Sequence, residues 1–172
     1  MTVRARSTLV GAVNKLFKRG VDGGNDEGAR SAGTVRTIAV GFDGSRESIA
    51  ALRWAAGLAE QTGSHVAVIH AVGLLEYDRT GAPAAELENT ARAVARQCQL
   101  PASVFSFHRA DGDPFAVLSQ AVKPPVGADL VVVGSRRADA HRGQIIGSSG
   151  HQLAERLTVP VAIVPPYENR GG

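Results

Sequence analysis

The chain has 172 residues, enough for one full domain and too few for two ordinary ones. An apolar fraction of 44% with only 5% aromatic residues describes an Ala/Val/Leu-rich core and argues against disorder over most of the length. A single cysteine, Cys98, excludes an internal disulfide and a thiolate metal cluster and points to a reducing compartment. No apolar run approaches the roughly 18 residues that a membrane-spanning helix needs. The net charge of +3 is unevenly placed: residues 1–33 hold six basic and three acidic side chains, and the remainder holds thirteen of each. The basic character therefore belongs to the N-terminal stretch and gives no reason to expect a nucleic-acid face on the domain.

Residues 1–20 combine Lys15, Lys18 and Arg19 with a weak helical stripe of Leu9, Val13, Leu16 and Phe17. Two readings stay open: an amphipathic helix touching an anionic membrane or a partner, or an extension that takes no part in the fold. Asn14 and Lys15 interrupt the apolar stretch, which does not fit a secretory signal. Residues 20–34 hold five glycines and almost nothing to bury, the composition of a linker. This divides the chain into a basic extension over 1–34, a folded domain over 35–166 and a short tail over 167–172.

The domain opens with TVRTIAVGF, a strand, followed by the turn Asp43-Gly44-Ser45. Ser45 suits the N-cap of a helix whose inward stripe is Ala51, Leu52, Ala55, Leu58 and Ala59 and which Gly63 ends. His65 to Val72 predicts a second strand. Gly81-Ala82-Pro83 starts a second helix, with Leu87, Ala91, Val94 and Cys98 on its apolar face. Ala102 to Arg109 alternates as a third strand. Asp113 as N-cap and Pro114 at the first helical position begin a third helix with Phe115, Leu118 and Val122 inward. The β-branched run Leu130 to Val133, stopped by Gly134, reads as a strand buried on both faces. Gly147-Ser148-Ser149-Gly150 then leads into a helix with Leu153, Ala154 and Leu157 on one side. Val161 to Val164, closed by Pro165-Pro166, is the last strand.

Strand and helix alternate four times before that final strand, the pattern of an open five-stranded parallel sheet with helices on both faces. In such sheets the ligand sits beyond the carboxyl ends of the strands, where the winding direction reverses. Three loops leave strand ends with useful chemistry: Asp43-Gly44-Ser45, Ala71-Val72-Gly73 and the segment from Gly134 to Ser148. The last ends at a helix N-terminus, where unsatisfied amides and the helix dipole suit an anion, above all a phosphate. The histidines at 65, 70, 108, 141 and 151 lack HxxxH or HExxH spacing, so no metal site is expected. His70 is placed at the end of a strand. Ser148 lacks the G-x-S-x-G elbow of a serine nucleophile, and Cys98 reads as an inert part of a helix face.

Over residues 35–166 the chain resembles the universal stress protein family. GFDGSRESIAALRWAAGLA resembles that family's opening strand, acidic turn and Ala-rich helix, and DGDPFAVLSQAV its Gly-Asp-Pro helix start. The segment from Gly134 to Ser148 resembles its nucleotide loop: Gly, two residues, Gly, nine residues, then Gly-Ser or Gly-Thr. The resemblance implies a Rossmann-like fold of the adenine nucleotide alpha hydrolase-like type with strand order 3-2-1-4-5. It also implies a non-catalytic, cytoplasmic stress-response protein that binds ATP, with Mg²⁺ as a companion ion, and pairs as a homodimer through the final edge strand.

Carried over by residue, Gly134 matches the first loop glycine, Gly147 and Ser148 the closing pair, and Ser149 the amide that follows. Asp43 stands where ATP-binding members place an aspartate near the ribose and phosphates, and Ala71 where backbone meets the adenine. Two positions depart from the pattern: Arg137 occupies the second loop glycine, and Gly150 replaces a small hydroxyl residue. Arg137 forfeits glycine's backbone freedom but supplies a guanidinium, which binds phosphate by a different geometry. The alternative is a family member that binds no nucleotide and works as a dimeric scaffold. An adenylating enzyme of a related fold would need an SGGxDS-type loop after the first strand, which GFDGSRES is not.

Overall fold

The structure, a computed structural model, describes residues 35–72, 84–135 and 148–166. The chain divides into two units, residues 1–35 and 36–172, and every described element belongs to the second. The expected amphipathic pattern of residues 1–20, the linker, the helix start at Gly81-Ala82-Pro83 and the tail lie outside the described residues.

Five parallel strands form one sheet in the order β3-β2-β1-β4-β5, with β1 Thr37–Gly41, β2 His65–Val72, β3 Phe105–Asp111, β4 Leu130–Gly134 and β5 Val161–Val164. Strand β1 is central. It pairs with β2 from Thr37↔His65 to Gly41↔Ile69 and with β4 from Ile38↔Leu130 to Val40↔Val132. Ile38, Ala39 and Val40 are accordingly buried on both faces, as the unbroken apolar run demands. The chain winds outward through β2 and β3, then returns across β1 to build β4 and β5, so the direction reverses between β1 and β4.

Helices α1 (Arg46–Thr62), α2 (Ala84–Gln97), α3 (Pro114–Ala121) and α4 (Ser148–Arg156) make the crossovers that parallel neighbours require. On one face Ala39, Ala67, Ile69, Val131 and Val133 meet Val117, Leu118 and Ala121 of α3 and Leu153 of α4. Strand alternation sends Ile38, Val40, Val66, Val68 and Val132 to the opposite face, where α1 packs on the central strands and α2 on α1. Local signals set the helix ends. Ser45 Oγ accepts from Ser48 N–H at 3.2 Å, and Gly63 caps α1 by donating to Ala59 O at 2.8 Å. Asp113 Oδ1 accepts from the amides of Phe115 (2.9 Å) and Ala116 (3.2 Å), with Pro114 opening α3.

Three expectations need correction. The third strand begins at Phe105, because Ala102–Val104 forms a 3-10 turn after Pro101. Pairing with β2 starts at Val66↔Phe105, so the chain turns into the sheet before it can extend. Cys98 follows the end of α2 and is partly buried; burial, ahead of the opposing effect of Arg53, pushes its thiol up from the ordinary value, which disfavours the reactive thiolate. On α4 Leu153 is wholly buried and Ala154 is exposed, while Leu157 packs on the core from just past the helix end.

Side chains also tie the sheet. Asp129 Oδ2 accepts from the amides of Arg36 (2.9 Å) and Thr37 (3.1 Å), joining the entries of β4 and β1. On the β2–β3 edge His65 Nε2 lies 2.8 Å from Ser106 Oγ, which lies 2.9 Å from His108 Nε2. Burial first, then the facing charge of His108, lower the pKa of His65 from the ordinary 6.5. The unfolded chain therefore takes up this proton more readily than the folded one. Stability is intact above 6.5 and is lost as pH falls through the lowered folded value. Urea unfolding at about pH 7.5 and about pH 5 should show that loss, and His65→Gln should reduce it. Asp129→Ala should lower stability by roughly 1–3 kcal/mol, measured in the same way, because it strands two strand-entry amides.

Candidate functional site

The reversal point brings the ends of β1 and β4 side by side. Since Val40 pairs with Val132, the turn Phe42-Asp43-Gly44 lies next to Gly134 and Ser135. Asp43 is exposed, and its Oδ1 accepts from Ser45 N–H at 3.0 Å and from the Ser45 hydroxyl, while its own N–H donates to Ser48 Oγ at 3.4 Å. Gly44 has φ +78°, and a Cβ there would stand 2.6 Å from Leu87 Cδ2 of α2. A left-handed residue pressed against a neighbouring helix has to be glycine. Asp43 is thus a structural part of its turn as well as a carboxylate at the strand end.

Gly134 has a different reason to be glycine. A Cβ would come within 2.4 Å of the Glu47 carbonyl carbon and 2.5 Å of its oxygen. The end of β4 therefore touches the first turn of α1 backbone to backbone. Beside it Ser135, which no motif in the sequence marks, is buried and donates its N–H to Val164 O at 2.8 Å. Its only signal in sequence was its place directly after the strand-ending glycine.

Ala71 lies on β2 beyond the end of β1. Phe42 N–H donates to Ile69 O at 2.9 Å, and Gly112 N–H donates to Val72 O at 2.9 Å. Peptide groups alternate sides along a strand. The N–H and C=O of Ala71, like those of Ile69, therefore face the side of β1, where that strand has stopped at Gly41. The preceding His70 is buried and holds Nδ1 2.9 Å from Phe42 O. A carbonyl only accepts, so Nδ1 carries the proton and the ring fastens the start of the acidic turn.

Ser148 and Ser149 open α4, so their amides belong to the first-turn donors that no carbonyl of the helix accepts. Arg137 and Gly147 lie outside the described residues. His151 pairs with Glu155 at 3.1 Å on the exposed side of α4. The structure thus gathers Asp43, Ala71 and Gly134 at adjoining strand ends. Among the described residues no three His, Cys, Asp or Glu side chains converge on a metal position.

An open, doubly wound parallel sheet with polar groups at the strand ends of its reversal point is the class of protein these features define. Within that class the chain belongs to the universal stress protein family, whose model matches residues 34–165. A universal stress protein solved in complex with cAMP is 25% identical, covers 78% of this chain and 99% of its own, and superposes with a TM-score of 0.64. A universal stress protein from Archaeoglobus fulgidus is 23% identical over 76% of this chain and 94% of its own, with a TM-score of 0.60. A family member from Arabidopsis thaliana with AMP bound is 17% identical over 80% and 95%, with a TM-score of 0.57. No curated protein sequence matches the chain significantly.

Gly134→Ala tests the backbone contact. It should destabilise the protein by roughly 1–3 kcal/mol in urea unfolding, the range for overpacking a close contact. Because the clash is with backbone, no change of side-chain rotamer relieves it.

Proposed function

We propose that this protein is a non-catalytic, cytoplasmic receptor for an adenine nucleotide, with ATP and an accompanying Mg²⁺ as its ligand. The nucleotide-binding unit is residues 35–166, and residues 1–34 are a basic appendage. The observation that carries the reading is the unpaired flank of β2 at Ala71 facing the acidic turn at Asp43 across the end of β1. A peptide N–H and C=O at a strand end suit the edge of an adenine. Asp43 is close enough in the fold to hold the ribose or the ion. The amides of Gly147, Ser148 and Ser149 and the Ser148 hydroxyl would bind phosphates, assisted by the guanidinium of Arg137 and by the close passage of the backbone at Gly134. The relative solved with cAMP, and the fold-mate solved with AMP, support an adenine nucleotide as the ligand class.

Among the described residues, two polar side chains near the strand ends already have partners. Asp43 is bonded within its turn and His70 to the Phe42 carbonyl, which supports a protein that binds without a general base for hydrolysis. A second reading rests on β5, an edge strand with Val161, Ala162 and Ile163 half-buried and prolines at 160 and 165. Paired across a two-fold axis, such edges would make a nucleotide-free dimeric scaffold.

Calorimetric titration of ATP, AMP and cAMP separates the two. The receptor reading expects saturable ATP binding that Asp43→Asn weakens about tenfold or more, with an unchanged unfolding midpoint because asparagine keeps the Oδ1 acceptor. Binding by Arg137→Gly and none by the natural chain would transfer the case to the scaffold. A monomer in sedimentation velocity would remove the scaffold.

A further inference from the structure

We propose that His65, Ser106 and His108 form a site for a divalent transition-metal ion of the imidazole-preferring kind, Cu²⁺ foremost. The site stands apart from the proposed nucleotide crevice. His65 opens β2 opposite Thr37, at the amino end of the strands, whereas the crevice lies beyond their carboxyl ends.

The three side chains meet because of register. Ser106 pairs with Ala67 and His108 with Ile69, so both share a sheet face with His65, Ala67 and Ile69. On β1, β2 and β4 that face is covered by α3 and α4. At edge strand β3 it opens, leaving Ser106 half-buried and His108 exposed. Two imidazoles on neighbouring strands converge there on one hydroxyl, with Nε2–Oγ distances of 2.8 and 2.9 Å.

Those distances are ordinary hydrogen bonds, and they are also the spacing of adjacent donors around an ion. Metal–nitrogen bonds of about 2.0–2.1 Å at right angles put neighbouring donors about 2.9 Å apart. A serine hydroxyl has one proton and two lone pairs, so it donates to at most one of the two Nε2 atoms. A ring that accepts from it presents Nε2 in the unprotonated form that ligates metals. Two nitrogens, one weak oxygen and positions open to water favour tetragonal Cu²⁺ or Ni²⁺ over the all-oxygen sites of Ca²⁺ and Mg²⁺. No pattern along the sequence announces the site, because the histidines are paired across strands and not along one.

The test is Cu²⁺ titrated into the full chain without nucleotide, followed by calorimetry and electron paramagnetic resonance. Expected is a saturable site whose spectrum carries coupling to two imidazole nitrogens. His108→Ala, an exposed position, should weaken it about tenfold or more, and His65→Ala with His108→Ala should abolish it. His141→Ala with His151→Ala should leave it unchanged, and Mg²⁺ should not compete. Equal Cu²⁺ affinity in the natural chain and His108→Ala, or a spectrum with coupling to fewer than two imidazole nitrogens, overturns the proposal. Circular dichroism melts of each metal-free variant distinguish lost ligands from lost fold. Failure here leaves the nucleotide reading untouched, since that reading uses neither histidine.

Discussion

How close α1 can begin to the end of β4 governs the whole reversal point. Strand β1 is flanked on both sides by parallel neighbours, so the chain leaving it must rise over the sheet at once, and α1 starts within a few residues. Its first turn then passes directly over the end of β4. Only a residue without a side chain admits that passage, and the contact between Gly134 and the Glu47 backbone leaves no room for a methyl group. With α1 lifted away by a Cβ, the Asp43 turn would shift too, because Ser45 both caps α1 and donates to Asp43.

Asp43 has a structural role in its turn, and in the proposed receptor the same carboxylate would serve recognition as well. Its Oδ1 organises a tight turn, and Ser48 beneath receives the Asp43 amide. His70 holds the Phe42 carbonyl just upstream. The strand end is thus held in one arrangement by the chain's own contacts. Preorganisation of this kind improves affinity by lowering the entropic cost of binding.

The two edges of the sheet are unlike each other. Strand β5 is short and apolar, bounded by prolines, which suits burial against another surface. Strand β3 carries His108, Arg109, Ala110 and Asp111 exposed in succession, and such a polar edge resists pairing. On that polar side the two histidines share a single serine hydroxyl. A sheet with helices on both faces thus still has an open corner where chemistry independent of the crevice can be placed.

Much of this was legible in the linear string because it depends on near neighbours. Ser45 and Asp113 cap helices through amides two or three residues away, and the run at Leu130–Val133 reads as a buried strand from its own composition. Alternation of strand and helix implies a parallel sheet, while the order 3-2-1-4-5 entered only through family resemblance and was then observed. Other features waited for the tertiary structure. β3 begins at Phe105, where the 3-10 turn of Ala102–Val104 ends and pairing with β2 starts. Ala154 is exposed because α4 lies along the sheet with one buried row. Gly134 is glycine because of Glu47, and His65 meets His108 because two strands pair in one register and not another. Capping and periodicity are set by a few bonds along the backbone. Register and the approach of a helix are collective outcomes of packing, and they determine which distant residues come to share a site.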